Sequence, residues 1–312
     1  MLGTLKRILV GKPLANEQLA HERIPKRTAL AVFSSDALSS VAYATEAILI
    51  ALMFANREAL GLATPIAVGI TLLLIIVSYS YTQTINAYPN GGGSYIVSRE
   101  NLGTLPSLIA AVSLMTSYIL TVAVSISAGV TAITSALPEL DQHRTAIALV
   151  LIALLSLANL RGLKESGATF AVPTYLFIVS MFAMILVGLY RYSTGTLVPA
   201  PLPEVVHAEF NQTLGWFLIL RAFASGCTAL TGIEAISDGV QAFKQPQARN
   251  ASMTLTIMAV ILSLMFVGIT AWRASTMWCR TVPSNQRRSI RSLHVQSLAV
   301  VRFFTTSSRG RP

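Results

Sequence analysis

Four carboxylates stand within stretches that are otherwise apolar: Asp36, Glu46, Glu234 and Asp238. A carboxylate in such a setting is costly to ionise and needs a partner, water or a proton, so its chemistry is to hold a cation or to exchange a proton. Hydroxyls that could share a cation stand in similar stretches, at Tyr43, Ser117, Thr121 and Thr231. Other chemistries lack their residues. His21, His143, His207 and His294 have no metal-ligand spacing, and Cys227 and Cys279 are too few for a disulfide framework or a four-ligand zinc site. There is no Gly-x-Ser-x-Gly and no His-Glu-x-x-His, so neither a hydrolase nucleophile nor a zinc enzyme is indicated, and no cofactor is expected. The run Pro89-Asn90-Gly91-Gly92-Gly93-Ser94-Tyr95 resembles a phosphate loop only in its glycines. No Gly-Lys-Ser/Thr follows, and it reads as a flexible re-entrant or cytosolic turn.

The elements that must position these groups follow from composition. Of 312 residues 53% are hydrophobic and only 12% charged, about half the usual quarter, too little to cover a water-facing surface. Mean hydropathy is +0.62. The formal net charge of +10 is a property of one end: residues 1–272 hold 15 Lys and Arg against all 13 acids, whereas residues 273–312 hold eight Arg and no acid. That tail contains no recognisable nucleic-acid module, so no nucleic-acid partner is expected.

A transmembrane helix needs about 20 apolar residues. Seven stretches qualify, at 28–54, 63–88, 104–136, 144–160, 168–191, 213–241 and 251–272. Runs such as Ile70 to Val77 do not alternate, which excludes a transmembrane barrel. The expected class is an all-α integral membrane protein with lipid as its solvent. Residues 1–27 carry Lys6, Arg7, Lys12, Arg23, Lys26 and Arg27 without a long apolar run, so they read as a cytosolic leader rather than a signal peptide. The basic residues of the short loops then set the N-terminus on the cytoplasmic side of the plasma membrane. Seven spans place the Arg-rich tail outside, against the same rule, which marks something anomalous near residue 270.

Two spans carry small and polar midsections: Phe33 to Ser40 in the first, Ser225 to Gly232 in the sixth. Such residues also serve close helix packing. Their matched positions, first and sixth, fit a five-plus-five repeat whose broken helices form a transport site near the midplane. With span midpoints near 41, 120 and 227, Asp36 lies about 7 Å, Ser117 about 5 Å, Thr231 about 6 Å and Glu234 about 10 Å to the cytoplasmic side, and Thr121 is nearly central. Asp36 and Tyr43, Ser117 and Thr121, and Thr231 and Glu234 each share a helix face wherever the helix is continuous. Glu46 and Asp238 fall closer to the interfaces, where water reaches them. Arg221, in the outer half of the sixth span, is assigned to packing or an outer salt bridge.

The strings Ala31 to Glu46, Ala87 to Tyr95, Tyr118 to Gly129, Asn159 to Gly162 and Arg221 to Gly239 together resemble the amino acid-polyamine-organocation (APC) superfamily of permeases, in the branch of KimA-type potassium importers. The resemblance covers about residues 1–268. It implies a five-plus-five inverted-repeat fold of the leucine-transporter type, here partial, and import of potassium coupled to protons. It also implies site residues: Asp36, Tyr43, Thr121 and Thr231 for the cation, and Glu234 for proton coupling. Ser117 stands where this branch usually has Asp, which removes a charge from the cation site. No metal is implied beyond the transported potassium ion. The implied partners are potassium and a proton, the lipid bilayer, and a second copy in a homodimer.

An amino acid permease of the same superfamily is the alternative. Against it, Asp36 would repel a substrate carboxylate, whereas potassium favours carboxylate, hydroxyl and carbonyl oxygens. The third reading is a truncated membrane protein that transports nothing. It follows from the expected organisation: leader 1–27, permease domain 28–272 with the first repeat and the start of the second, and an Arg- and Ser-rich tail 273–312 that reads as out-of-frame translation.

Overall fold

The computed structural model describes residues 23–53, 58–160, 163–194, 196 and 215–278. Most of the leader, Cys279 and the rest of the tail beyond Trp278 lie outside the described residues, as do His21, His207 and His294. The helices are α1 (Lys26–Met53), α2 (Ala63–Ala87), α3 (Gly93–Leu102), α4 (Thr104–Ala136), α5 (Arg144–Leu160), α6 (Leu163–Thr194), α7 (Trp216–Gly226), α8 (Glu234–Asp238) and α9 (Gln247–Trp278). Among the described residues seven segments are long and apolar enough to cross a membrane: Lys26–Met53, Ala59–Ala87, Thr104–Ala136, Pro138–Leu160, Gly167–Thr194, Trp216–Asp238 and Gln247–Ala274. They coincide with the seven expected spans, and no strand occurs among the described residues beyond one isolated bridge. The protein is an all-α, multi-pass membrane protein.

The first span is the hub. α1 packs on α7, α6 and α9, and α9 also lies along α2. Its composition suits that place, since Ala29, Ala31, Ala37 and Ala44 are wholly buried and let neighbouring backbones approach. Polar groups add interhelical bonds: Thr45 Oγ1 and Thr270 Oγ1 pair at 3.0 Å, and Tyr175 donates to the Arg27 carbonyl at 2.8 Å. By contrast α5 buries no residue and α4 only Ser107, Val130 and Thr134. Their exposed faces carry Leu108, Ile109, Val112, Ile119, Leu149 and Leu154, a surface suited to lipid.

Backbone pairing fixes which ends lie together. Ile24 N–H donates to Ala242 O at 2.9 Å and Lys244 N–H to Ile24 O at 3.2 Å, so the chain entering the first span is bonded to the chain leaving the sixth. This is what seven alternating crossings require.

The two small-and-polar midsections behave differently. The sixth span breaks as expected: α7 ends at Gly226, a 3-10 turn covers Cys227–Leu230, Thr231 is extended, and Gly232 has φ +83° before α8 begins. The expected break in the first span is absent, and α1 runs uninterrupted from Lys26 to Met53. The reason is local. Phe33 to Ser40 contains neither Gly nor Pro, and its hydroxyls bond backward along the helix, Ser34 to Leu30 O, Ser35 to Val32 O, and Ser39 and Ser40 to Asp36 O. Serines bonded in this way satisfy themselves within a helix instead of ending it.

Gly226 sets the approach of the sixth span. A Cβ there would stand 2.5 Å from Ile70 Cδ1 and 2.6 Å from Ile48 Cδ1. Gly226→Val should therefore destabilise the purified protein by about 1–3 kcal/mol through overpacking, read as a lower melting temperature. An unchanged melting temperature would show that this glycine does not govern the contact.

Candidate functional site

The continuity of α1 places Asp36, Ser40 and Tyr43 on one face, at spacings of four and seven residues. The Ser40 hydroxyl is their junction. Its single proton is shared between Asp36 O at 2.9 Å and Thr231 Oγ1 at 3.0 Å across the helix interface, and it accepts from the Tyr43 hydroxyl. Thr231 Oγ1 in turn bonds Thr228 O at 2.8 Å, so the hydroxyl is anchored on its own broken segment.

The Asp36 carboxylate faces that break. A Cβ on Gly232 would stand 2.9 Å from Asp36 Oδ2, so the oxygen lies against the one residue there without a side chain. The other oxygen, Oδ1, accepts from Ser125 Oγ of α4 at 3.4 Å. Three spans thus converge, with one carboxylate and the hydroxyls of Ser40, Tyr43, Ser125 and Thr231 within one hydrogen-bonded neighbourhood. An all-oxygen set with a single fixed negative charge suits a hard monovalent cation.

The structure brings the expected residues together unevenly. Asp36, Tyr43 and Thr231 share the cluster, and each is half-buried. Thr121 is half-buried and Ser117 exposed on α4, on the same face as Ser125 at successive four-residue steps, but neither hydroxyl joins the cluster. Glu234 opens α8, two residues past Gly232, and is half-buried. Glu46 is exposed. Asp238, expected close to an interface where water reaches it, is half-buried and accepts a hydrogen bond from Tyr118 at 2.7 Å.

Ser40 and Ser125 were not expected in the site. A signal for both was present, since each lies four residues from a residue that was singled out, Asp36 and Thr121. Nothing in the residue pattern joins Tyr118 to Asp238, because that pairing depends on how α4 crosses the sixth span.

A bundle whose first span turns a carboxylate toward the unwound part of its sixth has the architecture of a membrane permease. The chain belongs to the amino acid permease family, which it matches over residues 27–287. It is 51% identical over 271 residues to the potassium transporter KimA of Bacillus subtilis (strain 168), across 86% of this chain and 44% of that protein. The chain therefore spans less than half the length of this relative. The family and the relative are transporters, not enzymes.

Gly232 is the position where the site is least tolerant. Gly232→Ala would place a β-carbon at a left-handed backbone, costing about 1–2 kcal/mol, and would crowd Asp36 Oδ2. The expected result is a lower melting temperature of that order. A fully stable variant would mean that the break does not need glycine.

Proposed function

We propose that this chain carries the cation site of a secondary transporter that imports potassium together with protons across the bacterial plasma membrane, its N-terminus cytoplasmic. The observation that carries the reading is the Asp36 carboxylate set against the break at Gly232 and bonded by Ser125, beside the hydroxyls of Tyr43, Ser40 and Thr231. Support also comes from the name of the relative, a potassium transporter.

In this reading the ion sits between the first and sixth spans, held by Asp36, Ser40, Tyr43, Ser125 and Thr231. Thr121 and Ser117 enter from α4 as that helix shifts during the cycle. Glu234 takes and releases the proton. It stands next to the break, where helix continuity is already lost and water can follow the ion, and a carboxylate at such a place exchanges protons with modest changes in hydration. An amino acid substrate would need its carboxylate placed where Asp36 already stands, which opposes it.

Uptake assays in cells lacking their own potassium importers test the reading. Asp36→Asn should abolish accumulation of a potassium tracer, and undiminished uptake would reject the site. Accumulation of labelled amino acids instead of potassium would replace it with the amino acid reading. Absence of both, with the protein present in membranes, is the result expected of a non-transporting membrane protein.

Ser117→Asp tests the departure from the pattern of the branch. A second carboxylate on the α4 face that carries Thr121 and Ser125 should raise the apparent affinity for potassium, read as a lower half-saturating concentration. An unchanged value would show the substitution to be neutral.

A further inference from the structure

The glycine turn after α2 has no part in the cation cluster, yet it is held in place. Asp238, the last residue of α8, is the point at which it is held. The Asp238 carbonyl oxygen accepts the Gly92 N–H at 3.3 Å, and its carboxylate Oδ2 accepts the Tyr118 hydroxyl at 2.7 Å. The turn runs through three successive glycines with φ of +73°, +98° and +42°. A Cβ on Gly91 would stand 3.0 Å from the Asp238 carbonyl oxygen, and one on Gly93 would overlap the carboxylate. Glycine meets two needs at once here, a left-handed backbone and an open place for the acid. A second tie lies three residues further on, where the Gln241 amide donates to Asn90 O.

Next to these ties, Phe33 stacks on Phe243 with ring centroids 5.5 Å apart, and a Cβ on Gly239 would stand 2.6 Å from the Phe33 ring. Phe33 lies three residues before Asp36, and Asp238 lies seven after Thr231. Both displacements run toward the membrane face at which Ile24 is bonded to Ala242. The aromatic pair and the Asp238 ties therefore stand between the cation cluster and that face.

We propose that Asp238 is the latch of an inner closure. It fastens α4, through Tyr118, and the glycine turn to the inner end of the sixth span, and it must release before an ion can leave on that side. The role in ion release rests on the transport reading above, whereas the fastening itself does not.

The test uses the full chain in membrane vesicles, with Asn90→Cys and Gln241→Cys in a background of Cys227→Ser and Cys279→Ser; Gln241→Cys removes the second tie, so the Asp238 contacts are left to hold the turn. A short reducible bifunctional thiol reagent should join the two positions. Adding Asp238→Ala or Tyr118→Phe should slow the cross-linking about fivefold, as expected for loss of one hydrogen bond. Asp238→Glu, which keeps the acceptor, should restore most of the rate and so exclude misfolding as the cause. Unchanged rates in both variants would overturn the latch. Cross-linked protein should take up no potassium tracer until the reagent is cleaved, and free uptake through cross-linked protein would also overturn it. If the protein takes up no potassium even before cross-linking, the transport reading fails, and the cross-linking rates still decide whether Asp238 fastens the turn.

Discussion

A helix that unwinds within a membrane leaves peptide groups that lipid cannot satisfy, so the break at Thr231–Gly232 can persist only where protein or water meets it. In this chain the first span meets it. Asp36 lies against Gly232, and Ser40 bonds Thr231, so the irregular backbone faces a carboxylate and a hydroxyl rather than hydrocarbon. The dependence runs both ways. A buried carboxylate is costly without partners, and at Asp36 the Ser125 hydroxyl and the open place beside Gly232 offset that cost.

The rest of the bundle serves this contact. α1 sits amid α6, α7 and α9, secured by small residues and by the buried Thr45–Thr270 pair, and it acts as a rigid wall. Gly226 lets the sixth span come close enough for hydroxyl to meet hydroxyl. α4 and α5 are held far less, with few buried residues between them. Local stability follows packing, so α4, which carries Ser117, Thr121 and Ser125, is the site wall best able to move relative to the rest. The ties at Tyr118 and the glycine turn are where that movement would be checked.

Much of this was legible in the residues. Hydropathy located all seven spans, because a run of apolar residues long enough to cross lipid has few other uses. The break in the sixth span was legible for a firmer reason, since Gly226 and Gly232 stand where it begins and ends. The same small-and-polar signature misled in the first span: Phe33 to Ser40 looks like an interruption by composition, but without Gly or Pro its serines simply bond back along the helix. Depth arithmetic put Asp36, Ser117, Thr121, Thr231 and Glu234 in one layer, and of these the structure brings Asp36 and Thr231 into the cluster. It could not tell that Ser125 would reach Asp36 ahead of Thr121 and Ser117, because that depends on the tilt of α4. The glycine turn was read as flexible, and the structure instead holds it against Asp238. Long-range pairings of this kind leave no periodic trace in a sequence.

The central claim is that the oxygens around Asp36 hold a potassium ion. The most direct measurement is the melting temperature of the purified chain in lipid nanodiscs as potassium is titrated at constant ionic strength, since a ligand that binds the folded state stabilises it by RT ln(1 + [L]/Kd). The account predicts a rise that grows with the logarithm of potassium concentration once the site begins to fill, that neither sodium nor amino acids reproduce and that Thr231→Val diminishes. A melting temperature indifferent to potassium, or one raised by an amino acid instead, would contradict it.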